Sequence, residues 1–266
     1  MSKRDQPIGV FDSGLGGLTV VKELIRQLPH EDIVYFGDTA RVPYGSKSKE
    51  SIIRFSIENT STLLKYKVKM VVVACNSSTS YALPALMDSF RLPIVGVIKP
   101  GARKAVAATR NNRVGVIATS ATIHSREYTK TIQGLSPAVK VFDQACPLFV
   151  PLVEEGWLNK EVTLKVAHEY LNKLKKADVD TLILGCTHYP LLKSVLRKVM
   201  GAKIRLIDSA QEVASEVKRL LFINQKDRLG KQKGQLRLLV SDEPQRFTQI
   251  AKNFLGFEIK NIERQL

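Results

Sequence analysis

The feature of this sequence that most constrains its fold is an internal duplication. Gly9-Val10 recurs as Gly115-Val116 in two similar apolar runs. The next apolar run follows each glycine at the same spacing, since Ile33 lies 24 positions after Gly9 and Val139 lies 24 positions after Gly115. A cysteine then follows 66 positions after the first glycine and 71 positions after the second. Self-similarity of this kind predicts two structurally related halves.

Short runs rich in valine and isoleucine alternate with longer segments of helical periodicity. This alternation is typical of parallel strands joined by crossover helices, so the predicted fold class is α/β. Together with the duplication, it predicts two pseudosymmetric domains with mostly parallel sheets flanked by helices. The candidate strands are Ile8–Phe11, Asp32–Phe36, Met70–Ala74, Ile94–Val97, Arg113–Ala118, Val139–Asp143, Thr181–Leu184, Ile204–Ile207, Leu236–Val240 and Phe257–Lys260.

The predicted boundary between the halves lies at the turn-prone stretch Lys99-Pro100-Gly101, and the second half is expected to end near Asp208-Ser209. The residues after that point offer a strand, a helix with a proline near its start and a glycine after its end, and a last strand. We expect them to return to the first domain. The predicted domains are therefore residues 1–98 plus 209–266 and residues 99–208.

Two cysteines occupy equivalent places in the two halves. VVVACNSSTSYALPAL and TLILGCTHYPLLKSVL each contain an apolar strand, a small residue, a cysteine, a polar turn and then a proline. Cys75 and Cys186 therefore follow the carboxyl ends of strands, the sheet edge at which open α/β proteins bind ligands. Two such halves facing each other predict an active site in the cleft between the domains, with one cysteine on each wall.

A pair of opposed thiols suits the inversion of a carbon centre. A free cysteine is most often a buried small hydrophobe, but the symmetry of Cys75 and Cys186 favours a function for both. Removing an α-proton from one face of an amino acid and returning a proton to the other face requires two acid/base groups. We expect one thiolate and one thiol, and each cysteine is predicted to precede a helix whose N-terminus favours the thiolate form. Cys146, which precedes a proline, is interpreted as structural.

Further candidate residues follow other strands at the same edge. Asp12 and Ser13 begin the glycine-rich turn DSGLGG, which matches neither common nucleotide-binding glycine motif and suits an ammonium or carboxylate group; an ordinary helix cap and turn is the alternative. Tyr44 and Gly45 end the loop GDTARVPYG. This loop is interpreted either as a site of substrate contacts or as a purely structural loop.

Residues near the second cysteine are also candidates. His188 could adjust the acidity of the Cys186 thiol or bind a carboxylate group, although a lone histidine is usually structural. Glu154 is interpreted as a surface charge of a helix in PLVEEG and is kept as a candidate supporting residue.

The composition argues against several classes of protein. Three cysteines without a C-x-x-C pair and four scattered histidines suggest neither a disulfide framework nor a metal site. The start MSKRDQPIGV lacks the apolar stretch of a signal peptide, and no run approaches the roughly 18 apolar residues of a membrane span. We therefore expect a cytoplasmic protein without a membrane partner.

The basic charge of the chain is the one compositional feature that suggests an acidic partner. A net charge of +16 suits an acidic partner such as nucleic acid or an anionic substrate. The basic residues are spread along the chain from Lys3 to Arg264 with no arginine-rich block. We expect a solvated basic surface and no nucleic-acid partner, with nucleic-acid contact as the alternative.

The motifs IGVFDSGLGG, GDTARVPYG, VVACNSSTS and LGCTHYPLL together resemble glutamate racemases of the aspartate/glutamate racemase superfamily. The resemblance covers essentially the whole chain. It implies a cofactor-independent isomerase that interconverts L- and D-glutamate and supplies D-glutamate for peptidoglycan synthesis, and hence for cell-wall biogenesis and cell shape. It also implies Cys75 and Cys186 as proton donors and acceptors, with the substrate held by Asp12, Ser13, Tyr44, Gly45, Asn76, Ser77, Thr187 and His188.

The resemblance carries three further expectations. A homodimer is expected from the family alone. Ser77 stands where family members often carry threonine, and because the hydroxyl survives we expect little consequence beyond packing. Some members have a long N-terminal extension associated with control by a cell-wall precursor; only seven residues precede Ile8, so that regulation is not expected here.

Three alternative functions stay open on the sequence. Another isomerase of the superfamily, such as an aspartate or hydantoin racemase, differs in a pocket size that the sequence does not reveal. A nucleic-acid-binding protein would bind in a salt-dependent way that is indifferent to both cysteines. A thiol-disulfide enzyme is disfavoured by the lack of a C-x-x-C pair.

Overall fold

The structure is a computed structural model that describes residues 3–230, 232–259 and 262–265. Its strands are β1 (Ile8–Asp12), β2 (Ile33–Gly37), β3 (Met70–Val73), β4 (Ile94–Gly96), β5 (Arg113–Ala118), β6 (Lys140–Ala145), β7 (Thr181–Gly185), β8 (Arg205–Asp208), β9 (Leu236–Val240) and β10 (Ile262–Arg264). Its helices are α1 (Leu18–Gln27), α2 (Lys49–Leu64), α3 (Asn76–Ser89), α4 (Ile98–Ala108), α5 (Ser120–Ser125), α6 (Glu127–Leu135), α7 (Phe149–Glu154), α8 (Glu161–Lys176), α9 (Lys193–Met200), α10 (Ser209–Ile223) and α11 (Pro244–Leu255).

The strands form two parallel sheets. The first has the order β10-β9-β2-β1-β3-β4 and the second the order β6-β5-β7-β8. We call each sheet with the helices packed on it the first lobe and the second lobe. All five residues of β1 and all five of β7 are buried, as expected of strands covered by helices on both faces. The predicted α/β class, with two parallel sheets flanked by helices, is confirmed.

The duplicated glycines lie at equivalent positions of the two central strands. A Cβ atom at Gly9 would lie 3.0 Å from Val68 Cγ1, and one at Gly115 would lie 2.9 Å from Leu182 Cδ1. A larger side chain would push apart the layers that cover each strand, because protein interiors are close-packed. The repeated Gly-Val pair in the sequence therefore reflects the same close approach in both lobes.

Two local predictions are wrong. Lys99-Pro100-Gly101 does not form a turn but lies in the first turn of α4, where proline is tolerated because its missing N–H has no helical partner in any case. The last strand is Ile262–Arg264 rather than Phe257–Lys260. Gly256 ends α11 with a φ of +84°, and the chain needs several residues to reach its register opposite Leu238. Lys260 itself lies outside the described residues.

The parallel arrangement brings the loops that carry the candidate residues to one edge of each sheet. In the first lobe the loops after β1, β2 and β3 emerge at the carboxyl ends of neighbouring strands, and in the second lobe those after β5, β6 and β7 do the same. After β8, α10 packs against α1 and α4, and the chain continues into β9 and β10 of the first sheet. No helix of the described ranges combines the length and the apolar character needed to cross a membrane.

Candidate active site

A cavity of about 340 Å³ lies between the carboxyl edges of the two sheets. Residues of both lobes line it, including both candidate cysteines. Of the residues selected from the sequence, those that line the cavity are Ser13, Tyr44, Gly45, Cys75, Asn76, Ser77, Glu154, Cys186, Thr187 and His188. Asp12 is the one selected residue that does not line it, because it is fully buried behind the turn that follows β1.

Cys75 lies at the N-cap position of α3 and is only 5% exposed. Its Sγ donates to Ser13 Oγ over 3.7 Å. Burial and the neighbouring Asp12 carboxyl raise the pKa of Cys75 to about 11, and contacts with Ser78 oppose this only in part. The expected stabilisation of a thiolate by the start of α3 is therefore outweighed at Cys75, which is a thiol at neutral pH.

Asp12 holds the glycine-rich turn together. Its Oδ2 accepts hydrogen bonds from the backbone N–H groups of Gly14 over 3.2 Å and of Gly17 over 3.0 Å. Its Oδ1 has no hydrogen-bond partner among the described residues. Burial raises the pKa of Asp12, while the charge of His188 and the backbone N–H groups lower it. The unpaired oxygen leaves Asp12 able to bind or relay a proton.

Cys186 follows β7 in surroundings unlike those of Cys75. Its Sγ lies 3.8 Å from His188 Nδ1, and His188 Nε2 lies 2.9 Å from Glu154 Oε1. Burial lowers the pKa of His188, but its bonds with Cys186 and Glu154 raise it more, to about 10. The imidazolium then donates from Nδ1 to the sulfur and from Nε2 to the carboxylate.

The electrostatics around Cys186 therefore rest on a histidine and not on a helix. Cys186 is followed by a short 3-10 turn, Tyr189–Leu192, and α9 begins only at Lys193, so the predicted helix start at this cysteine is wrong. The Phe254 ring of α11 packs edge-on against the imidazole at 5.4 Å between ring centroids. Glu154, interpreted from the sequence mainly as a surface charge, instead bonds this buried histidine.

The loop after β2 presents its backbone to the cavity. The Tyr44 hydroxyl donates to the buried carboxylate of Asp38 and accepts from Asn59 Nδ2 over 3.1 Å. With its hydroxyl engaged, Tyr44 has the backbone of the Tyr44–Gly45 segment to offer a ligand. A Cβ atom at Gly45 would lie 2.7 Å from Thr119 Cβ, so the loop touches the second lobe directly.

Polar contacts join the two lobes around the cavity. Ser77 Oγ lies 2.9 Å from Thr119 Oγ1 and 3.3 Å from Thr122 Oγ1. The hydroxyl of Thr19 in α1 donates to the carbonyl oxygen of Thr187 over 3.1 Å. These bonds hold the residues after each cysteine in a defined position relative to the opposite lobe.

The chain matches a known family over most of its length. Residues 8–217 match the family model described as Asp/Glu/Hydantoin racemase. The glutamate racemase of Geobacter metallireducens is 50% identical over 255 residues, which cover 96% of this chain and 94% of that protein. The chain belongs to the Asp/Glu/hydantoin racemase family. With relatives this similar over nearly its full length, it is an amino-acid racemase, an isomerase.

Solved structures of racemases agree with this assignment. The crystal structure of glutamate racemase isoform RacE1 from Bacillus anthracis superposes with a TM-score of 0.95 at 38% identity, covering 98% of each chain. The glutamate racemase of Francisella tularensis, solved in complex with D-glutamate, gives a TM-score of 0.93 at 38% identity, covering 99% of this chain and 98% of that one. The two-lobe architecture is therefore that of the racemase family.

The racemase cavity also contains residues that sequence reasoning missed. Thr119 caps α5 and lines the cavity together with Ser120. The duplication could have identified Thr119, because it follows Gly115 by four positions as Ser13 follows Gly9. No comparable signal marks the apolar wall of Val42, Pro43, Pro147, Val150 and Pro151.

Cys146 has surroundings that differ from those of the two cavity cysteines. It is fully buried, does not line the cavity, and donates from Sγ to the carbonyl oxygen of Gln144 over 3.6 Å. Burial raises its pKa well above the ordinary range. Within the described part of the chain, no group of three or more histidine, cysteine, aspartate or glutamate side chains is placed to hold a metal ion.

Proposed function

We propose that this racemase interconverts L- and D-glutamate and that Cys75 and Cys186 are its two acid/base groups. The observation that supports the proposal most strongly is the single cavity lined by both cysteines, one from each lobe. Each follows the carboxyl end of an equivalent strand. An amino acid bound between them would expose one face of Cα to each sulfur, as an inversion requires.

In the proposed reaction, one thiolate removes the α-proton and the opposite thiol delivers its own proton to the other face. The first sulfur ends as a thiol and the second as a thiolate, so the charge of the pair is unchanged and the reverse reaction uses the same groups. His188, held by Glu154, offers its proton and positive charge to the Cys186 thiolate. Asp12, behind Cys75, is the matching acid/base neighbour in the first lobe.

Negative charge that develops at Cα spreads onto the substrate carboxylate, so donors to that carboxylate lower the barrier. We assign this binding role to Ser13, Asn76 and Thr187 and to the backbone of Tyr44 and Gly45. The His188 side chain, whose ring N–H groups bond Cys186 and Glu154, contributes its positive charge. Ser77 joins them through its hydroxyl pair with Thr119. The proposal needs no cofactor, because the thiols transfer the proton and the donors stabilise the charge.

Glutamate as the substrate rests on the relatives and on charge. The relatives described above are glutamate racemases, and the Francisella tularensis structure contains D-glutamate. The chain's net charge of +16 attracts an anionic amino acid that carries two carboxylates. We further propose a cytoplasmic homodimer that supplies D-glutamate for peptidoglycan, and a division into domains at residues 1–98 plus 209–266 and residues 99–208.

The test is NMR of L-glutamate in D2O with the purified protein, compared with Cys75→Ser, Cys186→Ser and Cys146→Ser variants. We expect deuterium at Cα and formation of D-glutamate with the parent chain and with Cys146→Ser. Both other variants should lose racemisation by at least about 100-fold, because an alkoxide is too basic to form at neutral pH.

L-Aspartate serves as the substrate control. Exchange with aspartate but not with glutamate would reassign the substrate, and full activity of Cys75→Ser or Cys186→Ser would refute the two-thiol mechanism. Cys146→Ser makes the same replacement of sulfur by oxygen at a third buried cysteine, so it reports the cost of the substitution alone.

A further inference from the structure

One hydrogen bond links a cavity residue of the first lobe to a buried tyrosine of the second. Tyr128 of α6 donates its hydroxyl to Asn76 Oδ1 over 2.8 Å. The same hydroxyl lies 3.1 Å from Ser209 Oγ at the start of α10. Tyr128 does not line the cavity and is 2% exposed, so it does not contact a ligand there.

We propose that Tyr128 is a positioning residue that fixes the Asn76 carboxamide with its NH2 group toward the cavity, where it binds a substrate carboxylate. This inference rests on the proposed racemisation of glutamate. It adds a residue that contributes to substrate binding without contacting the substrate.

The physical basis is the near-symmetry of a carboxamide. The oxygen and nitrogen of asparagine have almost the same shape but opposite hydrogen-bonding roles, so only neighbouring groups decide which one faces a given direction. A bond from Tyr128 to Asn76 Oδ1 occupies the acceptor. Within the described residues, Asn76 Nδ2 donates to no protein acceptor, and Asn76 lines the cavity.

The direction of the hydrogen-bond chain supports this orientation. The Tyr128 hydroxyl has one proton, and giving it to Asn76 leaves the phenol oxygen to accept from Ser209. Burial raises the pKa of Tyr128, so the phenol keeps its proton at any working pH. The reversed chain would turn Asn76 Oδ1 toward the cavity, where it would repel a carboxylate.

Burial makes the bond difficult to replace. Asn76 is 4% exposed, so water does not readily substitute for a lost phenol. Without the hydroxyl, the carboxamide would populate both orientations, and one of them opposes binding. The consequence is weaker binding of substrate in a cavity whose lining residues are all unchanged.

The experiment measures kcat and KM for glutamate in Tyr128→Phe, Asn76→Ala and the double variant. We expect Tyr128→Phe to lower kcat/KM by about fivefold to tenfold, mainly through KM, and Asn76→Ala to lower it by at least as much. In the double variant Tyr128→Phe should cost almost nothing further, because the group that it positions is gone. Full additivity of the two effects would overturn the proposal.

Two controls separate positioning from general damage. Tyr66→Phe removes a phenol that bonds Gln265 far from the cavity and should leave both constants unchanged. Ser209→Ala keeps the bond from Tyr128 to Asn76 and should leave KM within about twofold. A larger effect of Ser209→Ala than of Tyr128→Phe would refute the assigned direction of the chain.

A further variant tests the NH2 group even if Tyr128→Phe folds poorly. Asn76→Asp retains the acceptor for Tyr128 and has no NH2, so it should lose at least as much kcat/KM as Tyr128→Phe. Wild-type kinetics in Asn76→Asp would overturn the inference. If the parent chain racemises glutamate and Tyr128→Phe matches Tyr66→Phe, the positioning role alone fails; a parent chain inactive on glutamate defeats the proposed function itself.

Discussion

Among single residues, the two cavity cysteines have unlike electrostatic neighbours despite their equivalent places in the duplication. Cys75 lies beside the buried carboxyl of Asp12, which raises its pKa further after burial has done so. Cys186 lies 3.8 Å from His188, which Glu154 helps to keep protonated. Cys75 is therefore a thiol in the resting protein, whereas Cys186 lies beside a positively charged imidazolium.

This asymmetry predicts an alkaline limit set by His188. Its pKa is raised from 6.5 to about 10, so the imidazolium persists through neutral pH and is lost as pH rises past about 10. Glu154→Gln removes a neighbour that raises this pKa. We expect the alkaline limb of the kcat/KM profile to move down by about one pH unit or more in that variant.

The measurement is the pH dependence of kcat/KM for glutamate, from neutral pH to the alkaline limit of stability. Glu155→Gln is the matched control, since it removes an adjacent, exposed carboxylate outside the cavity lining. An alkaline limb at the same pH in the parent chain and in Glu154→Gln would contradict the role given to Glu154.

Among the elements, the segment after β2 shows how a loop gains a defined position. The Tyr44 hydroxyl is held by Asp38 and Asn59, and the Arg41 side chain bonds Asp38 from its Nε over 2.7 Å. This network fixes one side of the segment in the first lobe. On the other side, Gly45 contacts Thr119 of the second lobe. The two lobes can approach this closely because glycine has no side chain.

Gly45→Ala should therefore impair catalysis more than stability. The added Cβ would lie 2.7 Å from Thr119 Cβ and would force the loop and the start of α5 apart. We expect kcat/KM to fall by at least about tenfold, because catalysis depends on placement to within about an ångström. Steady-state kinetics and urea unfolding of the same samples would check this expectation.

The control for this substitution is Gly134→Ala in α6. Nothing lies within 4 Å of a Cβ atom at Gly134, so activity should be unchanged and the helix should gain about 0.5–1 kcal/mol. Equal activities of the two variants would show that contact between the lobes at Gly45 is unimportant.

In the molecule as a whole, a buried ion pair fastens the C-terminal part of the chain to the first lobe. Lys69 Nζ lies 2.5 Å from Glu31 Oε2, with side chains 1% and 3% exposed. The same ammonium donates to the carbonyl oxygen of Lys226, and Glu31 Oε1 accepts from the backbone N–H of Arg228. The segment that leads from α10 back to β9 is thereby bonded beside the start of β3.

Removing one partner should leave an uncompensated buried charge. We expect Lys69→Met to destabilise the protein by about 3–5 kcal/mol, while the folded fraction keeps its kcat because the pair lies at the sheet edge opposite the cavity. Urea unfolding gives the stability, and kinetics below the transition give the activity.

Lys165→Met is the matched control for Lys69→Met. Its partner Glu161 is 79% exposed, and Lys165 itself is 76% exposed. Because water already solvates both charges, the free energy of unfolding should fall by less than about 1 kcal/mol. Comparable losses in the two variants would show that the buried pair does not fasten the chain.

Local sequence patterns predict much of the fold. The alternation of apolar runs and helical segments predicts the parallel strands, and the observed strand ends lie within two residues of the predicted ones except at β10. The helix at Lys99 and the late start of β10 could not be read locally, because they depend on packing of α4 and on the register beside β9. Proline and glycine indicate a break, but tertiary contacts decide where the chain bends.

The sequence by itself determined the α/β class, the duplication and the strand-end cysteines, since these follow from periodicity and spacing along one chain. Only the tertiary structure decided the rest of the site. The pKa values of Cys75 and His188, the bond from Glu154, and the contact of Gly45 with Thr119 depend on burial and on distances between residues far apart in sequence. Charge stabilisation and close packing act through space, and a linear pattern records neither.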